Sequence, residues 1–263
     1  MPPAFDFGEN WKNFSRNALN AQRVSEATVD FRDLCGNIEL SGQTFLDVGF
    51  GQGLGLLNAA NAGAQAIGCD INPKCTEVLT HNRRFFPTLT TPIPVVIGSI
   101  LNDDVVDHLR HLGGSHGFAV VHSWGVLHHT GNMRLAISKT ASLVQPSGHL
   151  ILAIYNRHWS SLAWLAIKRC YVGNPRWLRR LTVASLLPVI YLAKWLATGR
   201  NPLRQERGMD FRYDVIDWVG GYPYEFASRF EIEAMMTGLG FHLIRFKCAR
   251  VPTGCNEFVF KKA

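Results

Sequence analysis

Phe45-Leu-Asp-Val-Gly-Phe-Gly-Gln-Gly53 is an apolar run that breaks into three alternating glycines, and an apolar, helix-like segment follows from Leu54. Strand, glycine turn and helix are the elements with which a parallel α/β sheet builds a nucleotide site, because glycines let a ligand approach the backbone and the helix N-terminus presents amide groups. The dinucleotide fingerprint G-x-G-x-x-G fails here, since Leu54 and Leu56 stand where its third glycine belongs. The stretch therefore predicts a nucleotide site and disfavours a nicotinamide oxidoreductase.

The pattern that does match is D-x-G-x-G-x-G, formed by Asp47, Gly49, Gly51 and Gly53. It resembles motif I of the class I S-adenosylmethionine-dependent methyltransferases. The resemblance implies that these four residues bind S-adenosylmethionine, with the acid at the ammonium of its amino acid end and backbone amides at its carboxylate. Glycine-rich turns also occur in sheets that bind no ligand, so the neighbouring strands bear on the choice.

The second predicted strand, 65–70, ends in an acid suited to a ribose. Asp70 stands about 20 residues after the glycine turn, the position at which a carboxylate reaches a ribose diol. The alternative is that Asp70 caps the helix that begins near Pro73. In the resembling family this acid binds the cofactor ribose, which places Asp70 and Ile71 in the predicted cofactor site.

The third predicted strand, 94–98, is followed by Ser99 and Ile100. Many members of the resembling family carry an aspartate here that meets the adenine amino group. This sequence has Ser99 in that place. The resemblance implies that adenine is held by the Ser99 hydroxyl, by backbone and by packing of Ile100 on the ring.

The fourth predicted strand, 118–122, leads into Ser123-Trp-Gly-Val-Leu-His-His-Thr-Gly131. Ligands of open α/β sheets bind beyond the carboxyl ends of the strands, so this run is predicted at the mouth of the site. The resemblance implies that Ser123 and Trp124 lie near the cofactor and that His128 and His129 are catalytic residues facing the acceptor. A histidine suits removal of a proton from a hydroxyl, thiol or phenol, because its unperturbed pKa is about 6.5. The alternative is that one histidine binds a loop carbonyl and the other is exposed.

The whole pattern predicts an α/β fold, doubly wound around a seven-stranded, mostly parallel sheet, as in Rossmann-like methyltransferases. A fifth strand at 148–154 completes the cofactor half, and the alternating segments 241–247 and 256–261 predict a C-terminal antiparallel hairpin. We assign 1–40 to an N-terminal helical lid, 41–155 to the S-adenosylmethionine-binding core, 156–207 to a basic, apolar helical insertion after strand 5, and 208–263 to an acceptor-pocket loop with the C-terminal end of the core sheet.

Composition indicates a cytoplasmic enzyme. The chain has 263 residues, of which 47% are hydrophobic, enough for one large domain or one domain with an insert. Its six cysteines form no C-x-x-C pair, which predicts a reducing compartment and no metal site. The N-terminus lacks the basic segment and apolar core of a signal peptide.

The positive charge is concentrated in the insertion. Residues 156–207 hold ten Lys or Arg and one acid, so the net charge of the segment is +9. The net charge of the whole chain is +7, so the remaining residues together carry −2. Four of the seven tryptophans lie there too, a combination typical of helices at an anionic membrane surface. A span is disfavoured because Pro188 and Lys194 interrupt an apolar run shorter than the roughly 20 residues required. There are three alternatives: the helices only cap the pocket, they form a dimer interface, or they bind RNA. RNA binding is disfavoured because no signature of an RNA-binding module appears.

The segment 208–227 concentrates aromatic residues, acids and glycines, which is unusual for a connector. Long structured loops in compact domains are usually functional. We predict that it lines the acceptor pocket through Tyr213, Trp218, Tyr222, Tyr224 and Glu225. The alternative is an aromatic core plug beneath the insertion.

The predicted function is S-adenosylmethionine-dependent transfer of a methyl group to a small or lipid-linked acceptor, on oxygen. The basic, apolar insertion is similar to that of quinone-biosynthesis O-methyltransferases that work at the membrane surface, an analogy of architecture. One alternative is an RNA methyltransferase that uses the insertion, although the Asn-Pro-Pro-Tyr type of motif is absent after the fourth strand. The other is a nonenzymatic protein that binds S-adenosylmethionine or a partner.

Overall fold

Seven strands form one sheet in the computed structural model, which describes residues 4–203 and 210–263. The strands are β1 (Thr44–Val48), β2 (Gln65–Asp70), β3 (Val95–Ile97), β4 (Phe118–Trp124), β5 (Val144–Tyr155), β6 (Phe241–Lys247) and β7 (Cys255–Lys262), in the spatial order β3-β2-β1-β4-β5-β7-β6. Residues 1–3 of the predicted lid lie outside the described residues. So do Arg204, Glu206 and Arg207 of the basic segment and the start of the predicted acceptor loop.

The central strands are parallel and buried on both faces, which explains their continuous apolar sequences. The chain moves outward from β1 to β2 and β3, then returns to place β4 on the other side of β1. Such a reversal opens a crevice at the carboxyl ends of the two neighbouring strands, here β1 and β4. The topology therefore puts the glycine turn and the histidine run beside each other.

The C-terminal end of the sheet is antiparallel, as predicted. β7 lies between β5 and β6 and pairs antiparallel with both. The preceding helix begins with the expected capping box, in which the Ser228 side chain accepts from the Glu231 amide and the Glu231 side chain accepts from Ser228 N. The predicted α/β fold with a seven-stranded, mostly parallel sheet is confirmed.

Helices cover both faces of the sheet and form two apolar layers with it. They are α1 (Phe7–Asn17), α2 (Ala21–Cys35), α3 (Leu54–Asn61), α4 (Lys74–Asn82), α5 (Asp103–Leu112), α6 (Met133–Ser142), α7 (Ser161–Gly173), α8 (Arg176–Thr198), α9 (Phe211–Gly220) and α10 (Arg229–Gly238), with short 3₁₀ turns at Arg83–Phe85 and Leu127–His129. A third, smaller apolar cluster joins α7, α8 and α9 above the carboxyl edge of the sheet.

The insertion is helical in its described part, but three of its cations bind groups within the protein. Lys168 is fully buried, Arg179 donates to the carbonyl oxygens of Val172 and Asn174, and Lys194 pairs with Asp214 on α9. The expectation that the basic residues of the segment face lipid headgroups is therefore wrong for Lys168, which tertiary packing places in the interior of the helical cap. Arg179 and Lys194 are half-buried.

Within the described residues, α8 is the one helix that is long and apolar enough, by length and composition, to cross a membrane. Only 6% of its most apolar window is buried in the protein. The helix continues through Pro188, because a 23-residue helix tolerates one missing amide hydrogen bond at its exposed side. The length argument against a span, which treated Pro188 as an interruption, no longer holds.

The predicted acceptor-pocket loop is only partly a loop. Residues Phe211–Gly220 form α9, which Asp210 caps by accepting from the amides of Arg212 and Tyr213. An irregular segment with a cis Tyr222–Pro223 peptide bond follows. The prediction of a loop was wrong for α9, because the glycines that suggested it lie at the C-terminus of the helix.

Candidate active site

The glycines of the turn after β1 adopt left-handed backbone conformations, with φ of +75° at Gly49, +53° at Gly51 and +77° at Gly53. This region favours glycine because a Cβ is strained there. Space is also short: a Cβ on Gly49 would lie 2.3 Å from Val126 Cγ1, and one on Gly53 would lie 2.5 Å from Leu79 Cδ1. The glycine turn therefore contacts the loop after β4, and both border the crevice.

Helix α3 begins directly behind this turn, and no side chain caps its N-terminus in the described chain. The first amide groups of a helix lack intrahelical partners and, together with the helix dipole, favour a negative charge. The bare helix start is thus suited to a carboxylate group of a ligand that lies over the glycines.

Asp47 lies on β1 beneath the turn and is 3% exposed. Its Oδ1 lies 2.8 Å from His122 Nδ1 on β4, and its Oδ2 lies 3.1 Å from the place of a Cβ on Gly55 in α3. The carboxylate is therefore held between a buried histidine and the first turn of α3. No role was predicted for His122, which the register of β4 against β1 places beside Asp47 on the same face of the sheet.

Asp70 ends β2 with both carboxylate oxygens bound to backbone amides. Oδ2 accepts from Gly51 N at 2.9 Å, and Oδ1 accepts from Asn72 N at 2.8 Å. Burial raises the pKa of Asp70, and these two hydrogen bonds oppose the rise. The capping alternative fails because α4 begins after Pro73 without any side-chain cap. The next residue, Ile71, is 69% exposed at the edge of the crevice, an apolar surface that a nucleoside would cover.

The residues predicted to contact adenine follow β3. Ser99 Oγ accepts from Leu101 N at 3.2 Å within the turn. Ile100 is 5% exposed and packs in the apolar layer under the sheet, so its side chain belongs to the core. The turn lies at the carboxyl edge beside Asp70, because β3 pairs with β2 in parallel.

The two predicted cofactor residues at the end of β4 point in opposite directions. Ser123 is fully buried and donates to the Val48 carbonyl at 2.9 Å, which ties β4 to the end of β1. Trp124 donates its indole N–H to Glu257 Oε1 at 3.0 Å, on β7. The structure therefore brings Ser123 to the glycine turn and directs the indole of Trp124 away from it.

His128 and His129 occupy the 3₁₀ turn that follows β4, and their hydrogen bonds distinguish their chemistry. His128 Nδ1 accepts from the amide of Tyr155 at 3.3 Å, so its proton is on Nε2. His129 Nδ1 lies 2.6 Å from the carbonyl oxygen of Pro223 and donates to it, so its lone pair is on Nε2.

Both histidines are neutral at physiological pH. Burial lowers the pKa of His128 well below its usual value, and burial together with the nearby Lys168 charge lowers the pKa of His129 to about 3. His129 is consequently an oriented proton acceptor, whereas His128 is a hydrogen-bond donor. The alternative of a carbonyl-bound histidine and an exposed one is half right, because His129 does bind a carbonyl but His128 is buried.

The predicted substrate residues fall into two groups. Trp218 and Tyr224 join Tyr155 in one aromatic cluster, with ring centroids of Tyr155 at 5.1 Å from Trp218 and 5.2 Å from Tyr224. Glu225 binds to the histidine turn through its amide, which donates to the His128 carbonyl at 2.9 Å. Its carboxylate accepts from Met133 N, so it caps α6.

Tyr213 and Tyr222 instead contact the N-terminal segment. The Tyr213 ring lies 5.7 Å from Phe14 on α1, and the carbonyl oxygen of Tyr222 accepts from Phe5 N at 2.9 Å. Tyr213 therefore lies outside the aromatic cluster beside the histidines. Tyr222 adjoins that cluster through the following residue, Pro223, whose carbonyl orients His129.

Helix α1 crosses both halves of the crevice. Trp11 lies over the glycine turn, 2.9 Å from the place of a Cβ on Gly51. The Phe7 ring packs at a tilt against the His129 ring, with centroids 4.8 Å apart. Asn10 donates to Asp217 Oδ1 at 2.7 Å on α9. The N-terminal segment was predicted to cover the cofactor site, and through these contacts α1 covers Gly51 and His129. The division of the chain into four segments stays a prediction.

Lys168 is the residue of this region that sequence reasoning missed. Its Nζ donates to the Trp218 carbonyl and lies 4.1 Å from the centroid of the Trp218 ring. The signal was its helical spacing, because Lys168 falls four residues after Trp164 and three before Tyr171, on the face of α7 that packs on α9.

A family model described as a methyltransferase domain matches residues 20–245, which is most of the chain. The chain belongs to the methyltransferase domain family. Its resemblance to the class I S-adenosylmethionine-dependent enzymes of this family is confirmed, and with it the class of cofactor.

Two curated relatives are ubiquinone biosynthesis O-methyltransferases of Rhodopseudomonas palustris. The protein of strain TIE-1 is 27% identical over 170 residues, 62% of each chain, and that of strain HaA2 is 28% identical over 192 residues, 67% of this chain and 71% of the relative. The chain thus spans about three fifths of the length of the first of these methyltransferases.

Two solved methyltransferases share the fold. The magnesium protoporphyrin IX methyltransferase of Synechocystis PCC 6803 with bound SAH is 15% identical at a TM-score of 0.55, with 97% of this chain and 94% of that chain covered. An O-methyltransferase family protein of Burkholderia thailandensis is 12% identical at a TM-score of 0.56, with coverages of 100% and 64%.

The crevice of this methyltransferase domain fits S-adenosylmethionine. The left-handed glycines leave the backbone bare, the uncapped start of α3 suits a carboxylate, and the exposed Ile71 beside Asp70 suits a nucleoside. Asp47, Asp70 and the glycines would hold the cofactor, which supplies a methyl group already activated on sulfur. Among the described residues no cluster of three or more His, Cys, Asp or Glu side chains has the arrangement of a metal site.

Proposed function

We propose that this protein transfers a methyl group from S-adenosylmethionine to an oxygen of a small or lipid-linked acceptor, with His129 as the general base. The observation that carries the proposal is the fixed tautomer of His129. The Pro223 carbonyl binds Nδ1 and leaves Nε2, which lies 3.3 Å from the place of a Cβ on Gly221, as a proton acceptor in the turn after β4. The curated relatives, named for O-methylation in ubiquinone biosynthesis, support a phenolic acceptor.

The chain performs three tasks in this reaction. Asp70, the glycine turn and the start of α3 bind and orient the donor. Helix α1, through Trp11 and Phe7, covers both the turn and His129 and excludes water from the transfer. His129 Nε2 takes the proton of the acceptor hydroxyl as the methyl group transfers, which a base of low pKa does only in concert with that transfer.

Calorimetric titration with S-adenosylhomocysteine, with NADH as control ligand, tests the cofactor half. We expect micromolar binding of the first, about −8 kcal/mol, and none of the second. Protein that binds is then incubated with labelled S-adenosylmethionine and a panel of catechols and hydroquinones with and without prenyl tails. Binding without transfer to any oxygen acceptor would refute the enzymatic part of the proposal.

We further propose that α7 and α8 dock on an anionic bilayer from the cytoplasmic side, so that the protein is peripheral at the membrane. The outer surface of these helices is apolar, with Leu162 69%, Trp177 64% and Leu196 73% exposed, and Trp159, just before α7, is 87% exposed. Patches of this kind mark interaction sites. The exposed cations Arg169, Arg176 and Arg180 lie beside it and suit acidic headgroups.

The orientation favoured is in the plane of the membrane. α8 packs its other side on α7 and α9 through Val183 and Ile190, so one face is already covered by protein. A helix with one protein-packed face and one apolar face suits the interface, and it brings the acceptor pocket close to lipid.

Flotation with vesicles of phosphatidylcholine and phosphatidylglycerol tests this docking. A Trp177→Ser, Leu196→Ser double variant should lose most vesicle binding and keep its affinity for S-adenosylhomocysteine. Arg176→Glu with Arg180→Glu should weaken binding by at least about 1 kcal/mol per substituted residue and reduce the loss of binding that added salt causes. Arg179 is left intact because it binds backbone carbonyls. Unchanged flotation of the double variant would show that the helices only cap the pocket.

A further inference from the structure

Lys168 carries a buried amine at the centre of an aromatic cluster, and the methyl transfer proposed above does not use it. The residue is 0% exposed, although lysine is almost never fully buried without a partner. Its Nζ lies 4.1 Å from the ring centroid of Trp218, 4.7 Å from that of Tyr224 and 5.7 Å from that of Tyr155. Aromatic faces at these distances attract a cation, so the cluster is built to accept the protonated amine.

The amine is short of hydrogen-bond acceptors. Within the described residues its Nζ donates to the carbonyl oxygen of Trp218, whereas a protonated lysine has three N–H groups to donate. Burial lowers the pKa of Lys168 to about 7, and the carboxylates of Asp217 and Asp214 offset this only in part. A buried ammonium without a close counter-ion is unfavourable, and an anion beside it removes that penalty.

A second donor in the same cluster lacks an acceptor. His128 Nε2 is buried and, within the described part of the chain, has no hydrogen-bond partner. Nε2 carries the proton, because Nδ1 accepts from Tyr155 N. The His128 ring lies 3.9 Å from the ring centroid of Tyr155, one of the three rings that surround Lys168. Buried donors of this kind are normally paired, so the cluster offers two donors to a group that only accepts.

We propose that Lys168 and His128 form an oxyanion subsite, which binds a negatively charged oxygen of the methyl acceptor. A carboxylate or phenolate accepts hydrogen bonds without donating any, which matches this pair of donors. The subsite deepens the proposed function and rests on it, since it adds that the acceptor is an aromatic acid or a phenolate. His129, the adjacent residue, supplies the complementary acceptor for the proton of the reacting hydroxyl.

The charge state of Lys168 depends on every group that faces it. These are Asp214 and Asp217 on α9, Tyr155 and Cys255 on the sheet, and Tyr224, His128 and His129 beside it. Burial raises the pKa of Asp217 and those of the two tyrosines, which weakens these groups as counter-ions, and Asp214 already pairs with Lys194. An oxyanion of the acceptor would therefore add to the protonation of the amine that the two carboxylates favour only in part.

The test uses the protein loaded with S-adenosylhomocysteine and the probes 4-hydroxybenzoate and 4-hydroxybenzamide, which differ in charge and not in shape. Wild type should bind the acid at least about tenfold more tightly than the amide. Lys168→Met should bring the two affinities within about twofold of each other. The matched control is Lys262→Met. Lys262 is partly buried and, like Lys168, donates to a backbone carbonyl, which in its case belongs to Val144 at the start of β5.

Two further probes distinguish the source of the oxyanion. Benzoate lacks the phenol and 4-nitrophenol lacks the carboxylate. The probe whose affinity falls in Lys168→Met identifies the oxygen that the subsite binds. If the bound oxygen is the carboxylate, the affinity of wild type for benzoate, which stays ionised throughout this range, should fall by about tenfold between pH 6 and pH 8 as Lys168 loses its proton. A lysine that merely joins α7 to α9 would produce no such dependence, and this measurement does not require the variant to fold.

The outcomes separate the two proposals. No binding of S-adenosylhomocysteine would refute the proposed function itself. If the nucleoside binds, the oxyanion subsite alone is refuted when none of the anionic probes binds, or when Lys168→Met leaves the affinity for every anionic probe unchanged. Equal binding of the acid and the amide, with 4-nitrophenol binding that depends on Lys168, would identify the phenolate as the bound oxygen.

Discussion

Replacing Lys168 by methionine should stabilise the protein at acidic pH far more than at alkaline pH. Methionine fills a similar volume in the aromatic cluster and carries no charge, so the comparison isolates the buried amine. Burial lowers the pKa of Lys168 from 10.5 to about 7. At about 1.4 kcal/mol per pKa unit, the charged amine destabilises the folded state by about 5 kcal/mol.

The sign follows from proton binding. Below pH 7 the amine is protonated in both states, and the folded state carries the full penalty. Between pH 7 and 10.5 the unfolded state binds the proton and the folded state does not, so stability rises with pH in this window. Relative to Lys168→Met, the free energy of unfolding of wild type should rise by about 3 kcal/mol from pH 6 to pH 9.

Urea denaturation of both proteins at several pH values, with tryptophan fluorescence as the signal, measures this difference. Subtraction of the two curves cancels groups that titrate alike in both proteins. A difference that stays flat from pH 6 to pH 9 would refute the reasoning, because it would show an amine with an ordinary pKa. A true ion pair with Asp217 would also leave the difference flat in this window, because it would raise the folded-state pKa of the amine and its contribution would be lost only above pH 10.5. Titration of the Lys168 Nζ resonance by NMR provides the same pKa without a variant.

Three other predictions concern the crevice. His129→Gln should lower kcat by about 10²- to 10⁴-fold with unchanged affinity for S-adenosylhomocysteine. Because the pKa of His129 is about 3, the wild-type rate should not fall with decreasing pH near pH 6.5, and a fall there would contradict the assignment of the base. Gly53→Ala should weaken S-adenosylhomocysteine binding by about tenfold or more, because its Cβ would meet Leu79. The control Gly114→Ala introduces similar left-handed strain at a position with open space around it, and it should leave the calorimetric affinity unchanged. Asp70→Asn keeps the shape and removes the charge, and it should weaken binding of S-adenosylhomocysteine by about 1.5–3 kcal/mol; an affinity equal to that of wild type would remove Asp70 from the site.

The cofactor half of this protein was predictable because its signals are local. Left-handed φ values at Gly49, Gly51 and Gly53 require glycine whatever the rest of the chain does. Strand alternation and the capping box of Ser228 with Glu231 are likewise set by neighbouring residues. The carboxyl ends of parallel strands meet at one edge, so the order of the motifs along the chain already placed Asp70 and the histidine run near the glycine turn.

The acceptor half was less predictable, because burial and orientation there depend on helices that are distant in sequence. Trp124 has the position of a cofactor residue in the sequence, yet its indole binds Glu257, which is 133 residues away. Tyr213 has the composition expected of a pocket, but it lies under α1 against Phe14.

The sequence by itself determined the sheet, the glycine turn and the class of cofactor, because each rests on backbone geometry or on short-range spacing. Only the tertiary structure distinguished the tautomers of the two histidines, since the Pro223 carbonyl binds Nδ1–H of His129 and the Tyr155 amide donates to Nδ1 of His128, both from remote segments. Only it separated Lys168 from the other cations of the insertion. A lysine in a basic segment has the same sequence whether it faces solvent or the protein interior, and the packing of α7 on α9 made this one a buried charge.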